Sequence, residues 1–267
     1  MLHPLVQETR ITRYRGDVPE PTTDVLAVEE PLEISITFGP AHQRTTQNLS
    51  VTMRTPGHDP ELCAGFLRTE GIISQSEHLV NVVQTGEHAV LAHLSPTLNF
   101  DPARLQRHFY TNSSCGVCGK TTVEAVKMAT GTLFFPEKKR IEPEIIRSLP
   151  NKMRAAQAQF QQTGGIHASG LFDGTGNLLL LREDVGRHNA LDKLIGCFLL
   201  KNAPILPDSI LLLSGRASFE LIQKAAIAGI GTVCAIGAPS SLAVETARAV
   251  GIRLIGFLKE DRFNCYD

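Results

Sequence analysis

Two thiols, Cys115 and Cys118, stand three positions apart in the stretch Ser113-Ser114-Cys115-Gly116-Val117-Cys118-Gly119-Lys120. Flanking glycines and a trailing lysine suit a reactive loop better than a packed core. Directly behind it, Thr121 precedes Glu124 by three positions, the spacing of a reciprocal helix cap, and Val123, Val126 and Ala129 repeat at roughly helical spacing. The thiols are therefore expected just ahead of a helix N-terminus, where the helix dipole and open N–H groups favour anions. A thiol that titrates near ~8.5 in a free chain can fall to about 3.5–7.5 in such a setting, which makes a nucleophilic thiolate available at neutral pH. Lys120 acts in the same direction.

Other chemistries compete for the pair. A structural zinc ion needs four ligands, usually two such pairs, and the remaining cysteines, Cys63, Cys197, Cys234 and Cys265, are isolated in the sequence. Covalent haem attachment needs histidine where Gly119 stands. A plain dithiol/disulfide switch stays open, because any Cys-x-x-Cys pair can close. His88, His93 and His108 show no metal-binding arrangement and read as surface or internally satisfied residues.

The balance of the chain fits a soluble globular protein. With 267 residues, 42% of them hydrophobic, there is material for one large domain or two. A net charge of −1 carries no footprint for a nucleic acid or an anionic membrane. The segment from Met1 to Gly16 lacks the apolar core of a signal peptide, and no apolar run approaches the ~18 residues of a membrane span. The expected location is the cytoplasm, where thiols stay reduced.

The elements that must hold this loop begin with strands. Asp24–Val28, Leu32–Phe38 and Leu49–Arg54 read as a half-solvated antiparallel sheet, Ile34 and Ile36 alternating with Ser35 and Thr37. Asp59-Pro60-Glu61 opens a helix with Asp59 as its cap, Leu62, Phe66 and Leu67 as its stripe and Gly71 as its stop. Within it, Cys63 reads as a small buried residue. Leu79–Gln84 and His88–Leu94 suggest a hairpin. Gly131 to Pro150 reads as a linker, after which Asn151 caps a helix closed by Gly164-Gly165.

In the last hundred residues, Ile166–Phe172 and Leu178–Leu181 form a hairpin around Asp173-Gly174-Thr175-Gly176-Asn177. Strands at Ile210–Leu213, Thr232–Ile236 and Ile252–Phe257 alternate with a helix bearing Leu191, Leu194 and Ile195 and with helices over Phe219–Ala228 and Leu242–Val250. Such alternation predicts parallel pairing and a sheet covered on both faces, with Leu178–Leu181 and Ile210–Leu213 buried on both sides. Ligands of such sheets bind outside the carboxyl ends of the strands. Three loops there, Glu183–Asn189, Ser214–Ser218 and Gly237–Ser241, combine glycine, serine and arginine at helix starts. Arg187 and Arg216 can pair with phosphate oxygens in two-pronged fashion. Asp184 can accept the two donors of a guanine edge or cap the following helix; both readings stay open. His188 and His167 are equally divided between ligand contact and loop support, and Asp173 reads as turn chemistry.

These motifs resemble a known family. Pro31-Leu32, Met53-Arg54-Thr55-Pro56, Gly65-Phe66-Leu67 through Glu70-Gly71, Ser113–Lys120, Gly164-Gly165-Ile166-His167, Glu183–Asn189 with Asp192-Lys193, Ser214-Gly215-Arg216 with Ser218 and Glu220, and Gly256-Phe257 are similar to the formate dehydrogenase accessory sulfurtransferases, the FdhD family. The match runs from about residue 25 to the end.

The resemblance implies an α/β fold: a three-layer sandwich resembling the cytidine deaminase fold, with a smaller β-rich N-terminal domain. Residues 1–110 would form that α+β domain, and residues 111–267 the cofactor-binding domain carrying the cysteine loop. It implies a sulfurtransferase. Cys115 takes sulfane sulfur from a cysteine desulfurase as a persulfide, and passes it to the molybdenum or tungsten bis(molybdopterin guanine dinucleotide) cofactor required by formate dehydrogenase. Cys118 either shares the relay or resolves the persulfide. The family's nucleotide-contacting segment corresponds to Phe257, Leu258, Lys259, Glu260, Asp261 and Arg262, joined by Asp184, Arg187, His188, Ser214, Arg216 and Ser218. Glu260 and Asp261 sit oddly beside a phosphate. A homodimer is implied, with the cofactor as cargo. Deaminase chemistry is not, since Ser114 stands where a Pro-Cys-x-x-Cys zinc pair needs proline and no His-x-Glu occurs. A second reading is a cofactor-holding chaperone whose dithiol only senses redox state.

Overall fold

The computed structural model describes residues 5–100 and 141–266; the Cys115/Cys118 loop, its following helix signal and His108 lie outside them. Three sheets are present. A ribbon pairs β1 (Val6–Arg15) antiparallel with β2 (Val18–Ala27). The second sheet has the order β4-β3-β6-β5, built from β3 (Glu30–Phe38), β4 (Thr45–Arg54), β5 (Leu79–Gly86) and β6 (Ala89–Leu94). The N-terminal sheet expected from sequence is thus not uniformly antiparallel: β3 pairs antiparallel with β4 but parallel with β6, and the segment around Val25 belongs to the separate ribbon.

Helix α1 (Asp59–Thr69) connects β4 to the β5–β6 hairpin and covers the second sheet, so that Leu62, Cys63 and Leu67 meet Leu32, Ile34 and Ile36. Cys63 is fully buried, and burial pushes its thiol up to about 12. Asp59 does not cap this helix. It is the first helical residue, and its carboxylate instead takes the buried guanidinium of Arg54 through Nε at 3.0 Å and Nη2 at 2.9 Å. Gly71, at φ +72°, ends the segment as expected.

The third sheet has the order β12-β11-β10-β9-β7-β8. Strands β9 (Ile210–Leu213), β10 (Thr232–Ala235) and β11 (Arg253–Gly256) are parallel. β7 (His167–Phe172) runs antiparallel to β8 (Leu178–Asp184), as the hairpin expected there requires; the expectation of parallel pairing for the remaining strands fails where β7 is also antiparallel to β9 and where β12 (Asn264–Cys265) is antiparallel to β11. The tight turn at Asp173 forces the first reversal. Its carboxylate accepts from Thr175 N, Thr175 Oγ1, Asn177 N and Asn177 Nδ2 at 2.8–2.9 Å, and these bonds hold it down to about 2. β8 is an edge strand, with Leu179 47% exposed, so the expected burial on both sides holds only for Ile210–Leu213.

Alternate residues of this sheet feed two cores. Leu171, Leu211, Leu213, Val233 and Leu254 face α4 (Arg187–Leu200), α5 (Phe219–Ile227) and α6 (Ser241–Val250). Phe172, Ile210, Leu212, Cys234 and Ile255 face α2 (Pro143–Ala156). α2 begins inside the expected linker and runs through Pro150. Pro143 supplies a preset first turn, and burial of Ile146, Leu149 and Met153 against the sheet offsets the backbone bond that Pro150 removes. Gln157 separates α2 from the short α3 (Ala158–Thr163), which Gly164 closes at φ +66°.

The halves of the molecule meet where α1 crosses α4. At Gly65 an added Cβ would lie 1.8 Å from the Asp192 carbonyl oxygen, and at Gly196 it would lie 1.8 Å from the Glu61 carbonyl oxygen. The two helices therefore touch backbone to backbone, and each glycine is required by the close approach. Gly65→Ala or Gly196→Ala must push helix against helix, at a cost of about 3 kcal/mol. Thermal unfolding of either variant is expected to show a Tm lower by roughly 5 °C or more; an unchanged Tm would mean that the helices can separate freely.

Candidate functional site

Strands β8, β9, β10 and β11 all run the same way, so the loops after Asp184, Leu213, Ala235 and Gly256 emerge on one edge, where β7 starts at His167. Backbone bonds weave these loops together. Gly237 N donates to Gly215 O at 2.9 Å, Phe257 N to Gly237 O at 3.0 Å, Ser240 N to Ala217 O at 3.0 Å, and Ser214 N to Ala168 O at 3.0 Å. Gly237 is needed here, since a Cβ would press on Arg216 N and Gly215 O at 3.0 Å.

A cavity of about 650 Å³ opens at this edge, walled by Arg154, Gln157, Phe160, His167, Ser214 and Glu260 among others. The Ser214 hydroxyl accepts from Ala168 N at 2.8 Å and lies 3.4 Å from His167 Nδ1. Burial, then the charge of Arg187, push His167 below the usual histidine range, with Asp184 opposing. This ring is neutral at physiological pH and serves as a hydrogen-bonding group.

The strand-end residues named from sequence fall into four groups. Ser214 and Glu260 line the cavity. Arg216, Phe257, Lys259, Asp261 and Arg262 are exposed on or beside the same edge, Phe257 at φ +52° with 44% of its surface open, and Lys259 N closing a turn onto Arg262 O at 2.9 Å. Arg187, His188 and Ser218 are half-buried at the starts of α4 and α5. The Ser218 hydroxyl and His188 Nε2 make no hydrogen bond among the described residues. Burial, followed by the charges of Lys224 and Arg187, lowers His188 to about 4 against the weaker pull of Glu220, whose carboxylate lies 4.0 Å away.

Two of the named residues turn inward. Leu258 is 1% exposed and belongs to the core beneath α2. Asp184 is fully buried, and its oxygens are taken: Oδ2 by Lys193 Nζ at 2.7 Å and Thr55 N at 3.2 Å, Oδ1 by Gly186 N at 2.8 Å and Asn189 Nδ2 at 3.1 Å. No acceptor is left for a guanine edge, so of the two readings the entry turn of the helix is the one it serves. The bonds to Thr55, and that of Asn189 Nδ2 to Met53 O at 2.8 Å, explain why the Met53–Pro56 motif accompanies the Glu183–Asn189 loop. Sequence spacing carried no sign of this pairing. Arg154, Gln157 and Phe160 were missed because their helices were placed late; the only signal for them was their position just before Gly164-Gly165.

A larger cavity of about 1150 Å³ lies between the start of α1 and β8, bordered by His58, Glu87, Arg182 and Glu183. Its charges are already matched. Arg182 binds Glu61 through Nε at 2.6 Å and Nη2 at 2.8 Å; burial raises the Glu61 carboxyl, but Arg182 and His58 outweigh it and hold it to about 2. The Glu183 carboxylate accepts from Gln159 N and Phe160 N at the start of α3. The strand-end cavity, with side chains still unmatched, is the better candidate despite its smaller size. Among the described residues no group of three His, Cys, Asp or Glu side chains is placed to hold a metal ion, and no helix is long and apolar enough to cross a membrane.

Fold and site together define a mixed α/β protein with a cavity open at its strand ends. Comparison with known proteins narrows this class. Residues 27–267 match the model of the FdhD/NarQ family. A protein named sulfur carrier protein FdhD from Streptomyces avermitilis is 42% identical over 272 residues, covering 98% of this chain and 94% of its own. Its namesake from Picrophilus torridus is 45% identical over 244 residues, covering 91% and 90%. A crystal structure described as a formate dehydrogenase accessory protein from Desulfotalea psychrophila shares the fold with a TM-score of 0.76 at 23% identity, covering 99% of this chain and 97% of its own. The chain belongs to the FdhD/NarQ family.

Asp184→Asn would leave the buried Lys193 charge without its partner, and a loss of about 3–5 kcal/mol is expected in denaturant unfolding; a shift below ~1 kcal/mol would mean that water reaches the pair. His188 bears on pH. Its folded value lies below its unfolded value of 6.5, so the unfolded chain gains the proton first and stability falls as pH drops from about 6.5 towards 4. His188→Gln should flatten that part of the stability–pH curve, and an unaltered slope would show the ring to be freely solvated.

Proposed function

We propose that this protein is a sulfur carrier that takes sulfane sulfur onto Cys115 and delivers it to a bis(molybdopterin guanine dinucleotide) cofactor destined for formate dehydrogenase. The name shared by its relatives supports the carriage of sulfur. The single observation that carries the cargo half is the strand-end cavity, which offers unmatched polar groups and nearby arginines to a ligand of nucleotide size.

Three of the four described thiols suit this work poorly, the exposed Cys265 being the exception. Cys63, Cys197 and Cys234 are buried, and burial raises all three. The glycine-flanked pair at Cys115 and Cys118 is the better nucleophile on sequence grounds. In the first step the Cys115 thiolate attacks the outer sulfur of a persulfide on a cysteine desulfurase. A new S–S bond forms, the donor's S–S bond breaks, and the donor cysteine leaves as a thiolate. In the second, the Cys118 thiolate attacks Cys115 Sγ and closes a disulfide. Hydrosulfide departs to the cofactor, having gained the two electrons that the dithiol loses. Alternatively Cys118 carries the sulfur one stage further before release. The molybdenum or tungsten cofactor is the substrate throughout.

After incubation with a cysteine desulfurase and free cysteine, mass spectrometry should find one added sulfur at Cys115. Cys115→Ala is expected to abolish both that gain and sulfuration of the cofactor, while GDP affinity stays within about twofold of the parent. No gain at Cys115 would sink the proposal, whereas equal loss of sulfuration and nucleotide binding would contradict the division of labour between loop and cavity.

A further inference from the structure

We infer that the outer edge of β1 takes up β1 of a second copy of this chain, antiparallel and about a twofold axis, so that the two ribbons join into one continuous sheet. The family resemblance implies a homodimer but leaves the meeting surface open. The ribbon closes through the two-residue turn Gly16-Asp17, with Arg15 facing Val18. Such a turn closes on a hydrogen-bonded pair, and from there bonded and non-bonded pairs alternate along an antiparallel ladder. Tyr14–Pro19 and Thr12–Pro21 are therefore non-bonded pairs, the one arrangement in which the two prolines cost the ribbon no hydrogen bond.

The same alternation makes the two outer edges unequal. On β2 the outward positions are Pro19, Pro21, Thr23, Val25 and Ala27, and prolines without an N–H blunt that edge against further strands. On β1 they are Val6, Glu8, Arg10, Thr12 and Tyr14, each with an N–H and a C=O turned away from β2. Among the described residues no third strand lies against them. Glu8, Arg10, Thr12 and Tyr14 are exposed, and the chain is exposed without a break from residue 12 to residue 21. The base of the ribbon rests against α3. Its outer half has no such support among the described residues, and a lone two-stranded ribbon is marginal in water.

Charge selects the occupant. Arg13 lies 4.0 Å from Asp24 and Arg15 lies 3.6 Å from Glu20, both pairs within the ribbon. Glu8 and Arg10 make no ion pair among the described residues. A second β1 laid antiparallel with Thr9 on the axis sets Glu8 opposite the partner's Arg10 and Arg10 opposite the partner's Glu8, all of them residues whose backbone groups face outward and can pair. Slipping by two residues either way sets Glu8 against the partner's Glu8 or Arg10 against the partner's Arg10, and like charges directly opposite are destabilising. A slip by one faces outward groups with inward ones and loses the ladder. The edge is thus complementary to itself in one register, as a twofold interface requires of a single patch. The joined sheet ends on the proline-bearing β2 of either copy, so assembly stops at two chains.

Analytical ultracentrifugation of the full-length protein over a range of concentrations tests the assignment. The parent is expected to be a dimer. Arg10→Pro removes one outward N–H, as Pro19 and Pro21 do on β2, and leaves the bonds within the ribbon whole; it should weaken dimerisation by roughly tenfold. Thr23→Pro makes the matching change on the outer edge of β2 and should leave dimerisation within about twofold of the parent. Glu8→Arg turns both opposite-charge contacts into like-charge ones and should weaken the dimer about tenfold, and adding Arg10→Glu should restore it. If Arg10→Pro dimerises as tightly as the parent, or the two proline variants weaken alike, the β1 edge is overturned as the interface while the homodimer stands. A double charge reversal as weak as Glu8→Arg alone overturns the register. A monomeric parent overturns interface and homodimer together. Should Arg10→Pro fail to fold, the charge reversals decide.

Discussion

The ion pair between Asp184 and Lys193, closed at 2.7 Å with neither side chain more than 1% exposed, is the constraint on which the rest of the molecule depends. Two charges so deeply buried are tolerable only when every remaining hydrogen-bonding position is filled. Thr55 N, Gly186 N and Asn189 Nδ2 fill those of the carboxylate, and Thr55 O at 2.8 Å takes a further proton of the ammonium. The partners come from the end of β4, the end of β8 and the first turns of α4. One pair therefore fixes where the N-terminal sheet ends, where the strand-end edge begins and how α4 leaves it.

A second buried cluster repeats the device at the neighbouring residue of α4. Lys224 of α5 donates to both Asp192 oxygens, at 3.1 and 2.9 Å, and to Thr69 Oγ1 at 2.8 Å, while Thr69 itself donates to Asp192. Burial raises the Asp192 carboxyl and the ammonium lowers it; on Lys224 the nearby carboxylates overcome burial and push the ammonium upward. Adjacent residues of α4, Asp192 and Lys193, thus clasp different partners on opposite sides, with Gly196 one turn beyond giving α1 room to approach. Specific polar contacts on either side of a glycine crossing fix register in a way that an apolar seam of the same area would not.

How much of this was legible from sequence follows from where each signal resides. Ile210–Leu213 announces a central strand because four apolar residues in a row have no solvated face to serve. The convergence of loops at the strand ends was likewise readable from the alternation of strands and helices. The β1–β2 ribbon was not. Its strands carry charge and threonine on both faces, and Pro19 and Pro21 argue against a strand; a two-stranded ribbon tolerates them because each strand has an outer edge where a missing N–H goes unused. The reversal between β7 and β8 was legible in the Asp173–Asn177 turn, but the antiparallel pairing of β7 with β9 was not, because apolar pattern alone does not say which strand lies beside which. The role of Asp184 was hidden because its partner Thr55 lies 129 positions away, and α2 because Pro150 conceals a helix whose evidence is the buried face it presents to the sheet.

Phe257 carries its aromatic ring on a left-handed backbone, at φ +52°, where side chains with a Cβ are seldom found. Such a conformation stores on the order of 1–3 kcal/mol, and the surrounding fold sustains it whether or not anything is bound. The bend that swings the ring out from the end of β11 is thus made during folding, at the expense of global stability. A flat molecule arriving at that edge meets a surface already turned outward, and its encounter energy goes into holding on rather than into reshaping the chain.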